Sequence, residues 1–243
     1  MSQRIILITG ANGTLGRAMA QVFLTESPDD VVWLGVHRRR EHADALAAAN
    51  PARCRVVTLD VTDAASWKAA VAGILAAHSR LDVLVNNAGT YDDALLAQMR
   101  PESWRDVLAV NLDGVFHGCQ AVMPAMISQR GGRIVNIASL SAMFSPAGQT
   151  NYSAAKAGVV ALTRSLAKEV ARLGITVNAV CPGYVDTEAL AGMDAAARQR
   201  ALSQIPMRRF GRPEEVAEAV RFLACAQAGY ITGSALKIDG GIF

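Results

Sequence analysis

Tyr152 and Lys156 stand four residues apart in the run Asn151-Tyr-Ser-Ala-Ala-Lys156, and Ser139 lies thirteen residues before the tyrosine. On a helix, positions i and i+4 share a face, so this spacing brings the Lys156 ammonium to the Tyr152 phenol. A free phenol has a pKa of about 10 and shuttles protons poorly near neutrality unless a nearby positive charge favours the phenolate. Lys156 would supply that charge. Tyr152 would then protonate a ketone oxygen as hydride arrives, or deprotonate an alcohol in reverse, with Ser139 hydrogen-bonded to the same oxygen. Tyr-x-x-x-Lys alone is a common pair. It gains weight only if the rest of the chain supplies a hydride carrier and a frame.

The frame is legible as alternation. Short β-branched runs at Ile5–Thr9, Val31–Val36, 55–59, Val83–Asn86, 134–137, 176–180 and 236–238 are separated by Ala/Leu-rich stretches. Near-continuous apolar strands between helices predict a parallel sheet covered on both faces. The expected architecture is α/β: a single-domain, Rossmann-type, doubly wound, seven-stranded parallel sheet with helices on both faces, occupying residues 1–243 as one domain. A long helix is predicted over 152–173, ended by Gly174 as a C-cap. Its Ala154, Ala157, Gly158 and Ala161 allow another helix to approach closely, in the core or at a subunit interface. The segments 28–30 and 189–201 are the expected irregular pieces.

Composition narrows the classes. With 243 residues, 51% hydrophobic and 19% charged, the chain has ample material for one core. A net charge of +3 without a basic tract argues against nucleic acid. No leader pattern and no bilayer-length apolar run are evident, so a soluble, cytoplasmic protein without membrane contact is expected. Cys54, Cys119, Cys181 and Cys225 have neither metal-site nor disulfide-framework spacing, which leaves buried free thiols and no metal.

The hydride carrier is signalled at the amino end. Gly10, Gly13 and Gly16 follow the first strand and open a helix near Leu15. Such a turn lets backbone N–H groups approach a pyrophosphate at the positive helix end. Expected contacts are Gly10, Asn12, Gly13, Thr14, Leu15 and Gly16; the alternative is a tight turn with no ligand. After the second strand an acid would accept from the ribose of NAD, but the sequence supplies His37, Arg38, Arg39 and Arg40. Arginine forks match a 2′-phosphate, so NADP(H) is expected, with His37, Arg38 and Arg39 at the ribose. Asp60 and Val61 would meet the adenine edge, and Asn87, Ala88 and Gly89 would close above the cofactor. These could instead be capping and turn residues.

In order along the chain stand Thr9, the three glycines, Asp60-Val61, Asn86-Asn87-Ala88-Gly89, Asn111, Ser139, Tyr152 with Lys156, and Pro182-Gly183 with Thr187. From end to end this resembles the short-chain dehydrogenase/reductase family. The resemblance implies a catalytic tetrad of Asn111, Ser139, Tyr152 and Lys156, with Asn111 holding a water that links Lys156 to solvent. It also implies that Lys156 grips the nicotinamide ribose and that Pro182, Gly183, Val185 and Thr187 hold the carboxamide. One departure is Thr14, where the family's common motif has its middle glycine; here Gly13 stands one place earlier.

Within the family, the stretches 148–158, 174–178, 205–211 and 230–241 are similar to reductases of 3-oxoacyl groups on acyl carrier protein. That similarity implies NADPH, a homotetramer, and an acidic carrier protein met by basic residues at the site's mouth, with Arg130, Arg133 and Arg172 as candidates. A reductase of a polyketide or aryl-polyene type of synthesis is also compatible, as is a dehydrogenase of sugars, steroids or small alcohols. A cofactor-sensing regulator is the reading from another class, and an intact tetrad argues against it. Leu190, Met193, Ile205 and Met207 in the lip 189–207, with Phe144 and Tyr184, are expected around an apolar substrate chain, or else merely pack a lid.

Overall fold

The computed structural model describes residues 3–190 and 192–243. Its strands are β1 (Ile5–Thr9), β2 (Val31–Val36), β3 (Cys54–Thr58), β4 (Val83–Asn86), β5 (Gly132–Ile137), β6 (Ile175–Pro182) and β7 (Ala235–Ile238). They form one sheet in the order β3-β2-β1-β4-β5-β6-β7, and every pairing is parallel. Successive side chains of a strand face opposite sides, which is why β1 is apolar throughout. Ile5 and Leu7 enter one core with Trp67, Ile74, Val122 and Met126. Ile6 and Ile8 enter the other with Met19, Phe23, Val216 and Val220.

The helices divide between those cores. α3 (Ala64–His78), α5 (Gly114–Gln129) and α7 (Thr150–Val170) cover the first, whereas α1 (Thr14–Glu26), α2 (Glu41–Ala49) and α9 (Pro213–Ala224) cover the second. Three shorter helices, α4 (Pro101–Leu108), α6 (Ser141–Phe144) and α8 (Ala195–Gln204), lie in the connections. The segment expected to be irregular over 189–201 therefore contains a helix start. Asp194 Oδ1 caps it by accepting from Ala197 N at 2.7 Å. Helix α7 begins two residues before its expected start, passes into a 3₁₀ turn at Ala171–Leu173, and ends at Gly174 with φ 74°. Gly158 packs intimately within the chain, since a Cβ there would lie 2.9 Å from Leu112 Cδ1. Ala154, Ala157 and Ala161 are exposed.

The chain runs outward from β1 to β3, then crosses back to β4, so the sheet changes direction between β1 and β4. In such sheets ligands bind beyond the carboxyl ends of the strands at this switch point. Here the two strands are pinned together: Thr9 Oγ1 accepts from Asn87 N at 2.9 Å and Ala88 N at 3.0 Å, and Asn87 Nδ2 donates to Thr9 O at 2.9 Å. A buried polar chain stiffens the next strands. Asn86 Nδ2 donates to Asn136 Oδ1 at 2.9 Å, and Asn136 Nδ2 donates to Thr163 Oγ1 on α7 at 2.9 Å. The four cysteines are buried and unpaired.

Candidate active site

Strand β5 ends at Ile137, and Ser139 follows with its Oγ accepting from Ser141 N at 3.1 Å as α6 begins. The first turn of α7 carries Tyr152 and the next carries Lys156, so the i, i+4 relation places both beside the end of β5. Lys156 is buried, and its Nζ donates to Ile137 O at 2.8 Å and lies 5.6 Å from the centre of the Tyr152 ring. Burial lowers its pKa to about 8.

The phenol behaves differently from the sequence-based expectation. Burial pushes the Tyr152 pKa up, the Ser139 hydroxyl pulls it down, and the charge of Asp93 pushes it up again; the net shift is upward. Burial penalises the phenolate by more than the Ser139 hydrogen bond favours it. A phenol held protonated through neutrality is a proton donor.

Asn111 sits where α4 runs into α5 through a single π turn, Ala109–Asp113, a distortion often found at functional sites. Its Nδ2 donates to Thr90 O at 2.7 Å and Val107 O at 2.9 Å, while its buried Oδ1 has no partner among the described residues. Gly89 is what lets this group approach. A Cβ on Gly89 would lie 2.8 Å from Asn111 Oδ1 and 3.7 Å from Lys156 Nζ. Asn111, Ser139, Tyr152 and Lys156 are therefore gathered at the carboxyl ends of β4 and β5.

The glycine turn separates into two kinds of glycine. Gly10 has φ 63°, and a Cβ there would lie 2.8 Å from Ala88 Cα; one on Gly16 would lie 2.6 Å from Gly10 O. Both are required by internal packing. Gly13 has φ −77°, and a Cβ there would meet nothing closer than Gly10 O at 3.5 Å. The fold itself gives no reason for glycine there. Gly13 is also the N-cap of α1 and offers no side-chain cap, which leaves the first amides of that helix, including those of Thr14 and Leu15, free for an anion. The turn thus fits a pyrophosphate. Asn12 points elsewhere: its Oδ1 accepts from His42 N at 2.9 Å and Ala43 N at 3.1 Å at the start of α2.

Beyond β2, the side chains of His37, Arg38 and Arg39 are exposed, and Arg40 is held by Asp44 at 2.7 Å. Asp60 serves partly as a turn residue, since its Oδ1 accepts from Thr62 N at 2.9 Å and Thr62 Oγ1 at 2.7 Å. Its Oδ2 lies 3.5 Å from His37 Nε2. Burial pushes this carboxyl up, but the Thr62 bonds and the charges of His37 and Arg38 outweigh it and hold it below the usual range. On the far side, β6 ends at Pro182, Gly183 lies close over Asp239, and Val185 is buried and bridges to Gly211. Thr187 O accepts from Leu190 N at 2.9 Å.

Of two expectations about the mouth, the first takes its lid-packing alternative: Leu190, Met193, Ile205 and Tyr184 pack with Phe210 and Ile242 into a small core of the lip itself. Met207 is 65% exposed and Phe144 52% exposed, while Ala191 lies outside the described residues. Secondly, Arg130, Arg133 and Arg172 lie at the opposite end of the sheet from Tyr152 in this chain. Arg130 and Arg133 flank the start of β5, and Arg133 Nη1 donates to Gly174 O at 3.1 Å, just before β6 starts. Arg172 lies in the 3₁₀ turn that ends α7. Parallel strands send all starts to one end and all site residues to the other.

Some participants were not signalled by sequence. Asp93 acts on the Tyr152 phenol and accepts from Gln149 Nε2 at 2.7 Å, and Gln149 Oε1 accepts from Ser141 Oγ at 2.9 Å. Arg17 on α1 pairs with Glu188 of the lip at 2.7 Å. These contacts join segments far apart in sequence, so no local pattern announces them.

Comparison with known proteins agrees with this geometry. Residues 10–242 match the model of a family described as enoyl-(acyl carrier protein) reductase. The chain is 43% identical to the 3-oxoacyl-[acyl-carrier-protein] reductase of Thermotoga maritima over 98% of its own length and 97% of that protein. This chain belongs to the short-chain dehydrogenase/reductase family. The 3-oxoacyl-[acyl-carrier-protein] reductase of Escherichia coli is 40% identical over 99% of this chain and 97% of the relative. Nodulation protein G of Azospirillum brasilense is 43% identical over 100% of this chain and 99% of the relative. As a member of the short-chain dehydrogenase/reductase family, the chain is an oxidoreductase that works on a ketone or alcohol with a nicotinamide dinucleotide.

Proposed function

We propose that this enzyme reduces the keto group of a 3-oxoacyl thioester carried on acyl carrier protein to the 3-hydroxy form, using NADPH, in fatty-acid synthesis or a related chain-building pathway. The observation that carries the chemistry is the half-buried Tyr152 phenol, whose pKa burial pushes up, set beside the Ser139 hydroxyl at the carboxyl ends of β4 and β5. The relatives' names support the substrate class. Arg38 and Arg39, exposed at the end of β2 where no acid stands, support NADPH over NADH.

The dinucleotide, when bound, supplies the hydride that the carbonyl carbon receives. Ser139 Oγ and Tyr152 Oη hold the carbonyl oxygen, and Tyr152 delivers its proton there. Lys156 orients the site from the Ile137 carbonyl, and Asn111 Oδ1 is the acceptor for a water joining Lys156 to solvent. Gly10, Gly13, Thr14, Leu15 and Gly16 form the pyrophosphate turn, Asp60 and Val61 the adenine edge, and Asn87, Ala88 and Gly89 the roof. Pro182, Gly183, Val185 and Thr187 take the carboxamide. We also propose a homotetramer, supported by exposed Phe116 and Ile127 on α5 and by the exposed alanines of α7.

The family description favours a second reading, reduction of an enoyl thioester. That reaction places its proton on carbon and has less use for two hydroxyls at one oxygen. NADPH oxidation with 3-oxobutanoyl and trans-2-butenoyl thioesters, each on acyl carrier protein and on pantetheine, separates the readings. Turnover of the carrier-bound 3-oxo substrate above all others is expected. Turnover of the enoyl substrate alone would overturn the proposal.

A further inference from the structure

Helix α2 begins immediately after the arginine segment and is poorly equipped to hold its own position. It has nine residues, one fully buried side chain, Ala43, and an N-cap residue, Arg40, whose side chain makes no cap bond. Helices this short are marginal by themselves and depend on caps and packing. The missing cap comes from the glycine turn about thirty residues earlier. Asn12 Oδ1 accepts from His42 N at 2.9 Å and Ala43 N at 3.1 Å, the second and third amides of α2, and Asn12 Nδ2 donates to Glu41 Oε2 at 3.4 Å. Asn12 is also the residue before Gly13, the one glycine of the turn that internal packing does not demand. A single side chain therefore ties the pyrophosphate turn to the segment His37-Arg38-Arg39-Arg40. The bond also draws the Glu41 carboxylate toward Asn12, while among the described residues Arg38 and Arg39 form no ion pair with an acid.

We propose that Asn12 is a positioning residue for cofactor choice: by capping α2 from the glycine turn, it fixes Arg38 and Arg39 at the distance from the pyrophosphate that a 2′-phosphorylated ribose requires. This rests on the NADP(H) reading above. Asn12 acts through α2 and need not touch the cofactor. Its loss weakens the 2′-phosphate contact selectively, since the backbone amides of Thr14 and Leu15 that serve either dinucleotide remain.

The test is direct binding of NADPH and NADH, followed by fluorescence titration, for the wild-type enzyme, Asn12→Ala and Arg38→Ala/Arg39→Ala, with circular dichroism as the check on folding. The loss of a cap is worth about 1 kcal/mol, so the Kd of Asn12→Ala for NADPH is expected to rise about fivefold or more while that for NADH changes less than about twofold. Arg38→Ala/Arg39→Ala should lose the same selectivity more completely. Asn12→Ser, with a shorter acceptor, should fall between wild type and alanine. Equal weakening for both dinucleotides, or no change for either, would overturn the inference while the wild-type preference for NADPH stands. A wild-type enzyme that binds both equally would overturn the NADP(H) reading and the inference with it.

Discussion

Lys156 illustrates what a single buried ammonium costs its fold. Its pKa of about 8 lies below the ordinary 10.5 because the charged form is buried, and one bond to the Ile137 carbonyl does not restore its hydration. Between pH 8 and 10.5 the unfolded chain holds a proton that the folded chain lacks, so stability rises with pH across that window and is penalised below it. The full difference is on the order of 3 kcal/mol. Lys156→Met removes the titration. Thermal melts of both proteins at pH 7 and pH 10 should show the wild type gaining about 5 °C on the variant as pH rises. A gap that does not change with pH would contradict the burial cost. At this scale the i, i+4 spacing foretold the nearness of Lys156 to Tyr152 that the structure shows, but not the state of the phenol. Burial raises its pKa, the Ser139 hydroxyl lowers it and the Asp93 charge raises it, and both partners come from other segments.

At the scale of elements, the orientation of α7 decides where Tyr152 and Lys156 point. The helix is attached to β5 at two places: Lys156 Nζ to Ile137 O, and, seven residues on, Thr163 Oγ1 to Asn136 Nδ2 at 2.9 Å. Thr163→Val keeps the shape but leaves the buried Asn136 amide without its acceptor, a loss of about 1–3 kcal/mol. The variant should melt lower and turn over several-fold more slowly, and Thr163→Ser should recover both; the thermal midpoint and kcat measured side by side check this. The strands were legible because burial on both faces leaves continuous apolar runs, and Gly174 marked the end of the 3₁₀ turn that prolongs α7. The starts of β5 and α8 were not, because a glycine and a run of alanines carry no strand or helix period of their own. The π turn holding Asn111 is likewise invisible in Ala-Val-Asn-Leu-Asp.

For the whole molecule, the order β3-β2-β1-β4-β5-β6-β7 brings two glycine-controlled approaches to one crevice: Gly13 at the end of β1 and Gly89 at the end of β4. The sheet architecture follows from strand and helix alternation, whereas the end of the sheet on which a given arginine lies follows only from strand direction. That is why the position of Arg130, Arg133 and Arg172 beside strand starts, away from Tyr152 in this chain, was not legible, whereas that of Arg38 and Arg39 just past the end of β2 was. The account as a whole depends on Tyr152 donating the proton to a ketone oxygen. The most direct measurement is kcat of Tyr152→Phe with NADPH and a carrier-bound 3-oxobutanoyl thioester, alongside the Kd of the same variant for NADPH. A fall in kcat of about 10²–10⁴ with an unchanged Kd is predicted. Turnover close to that of the wild type would contradict the mechanism.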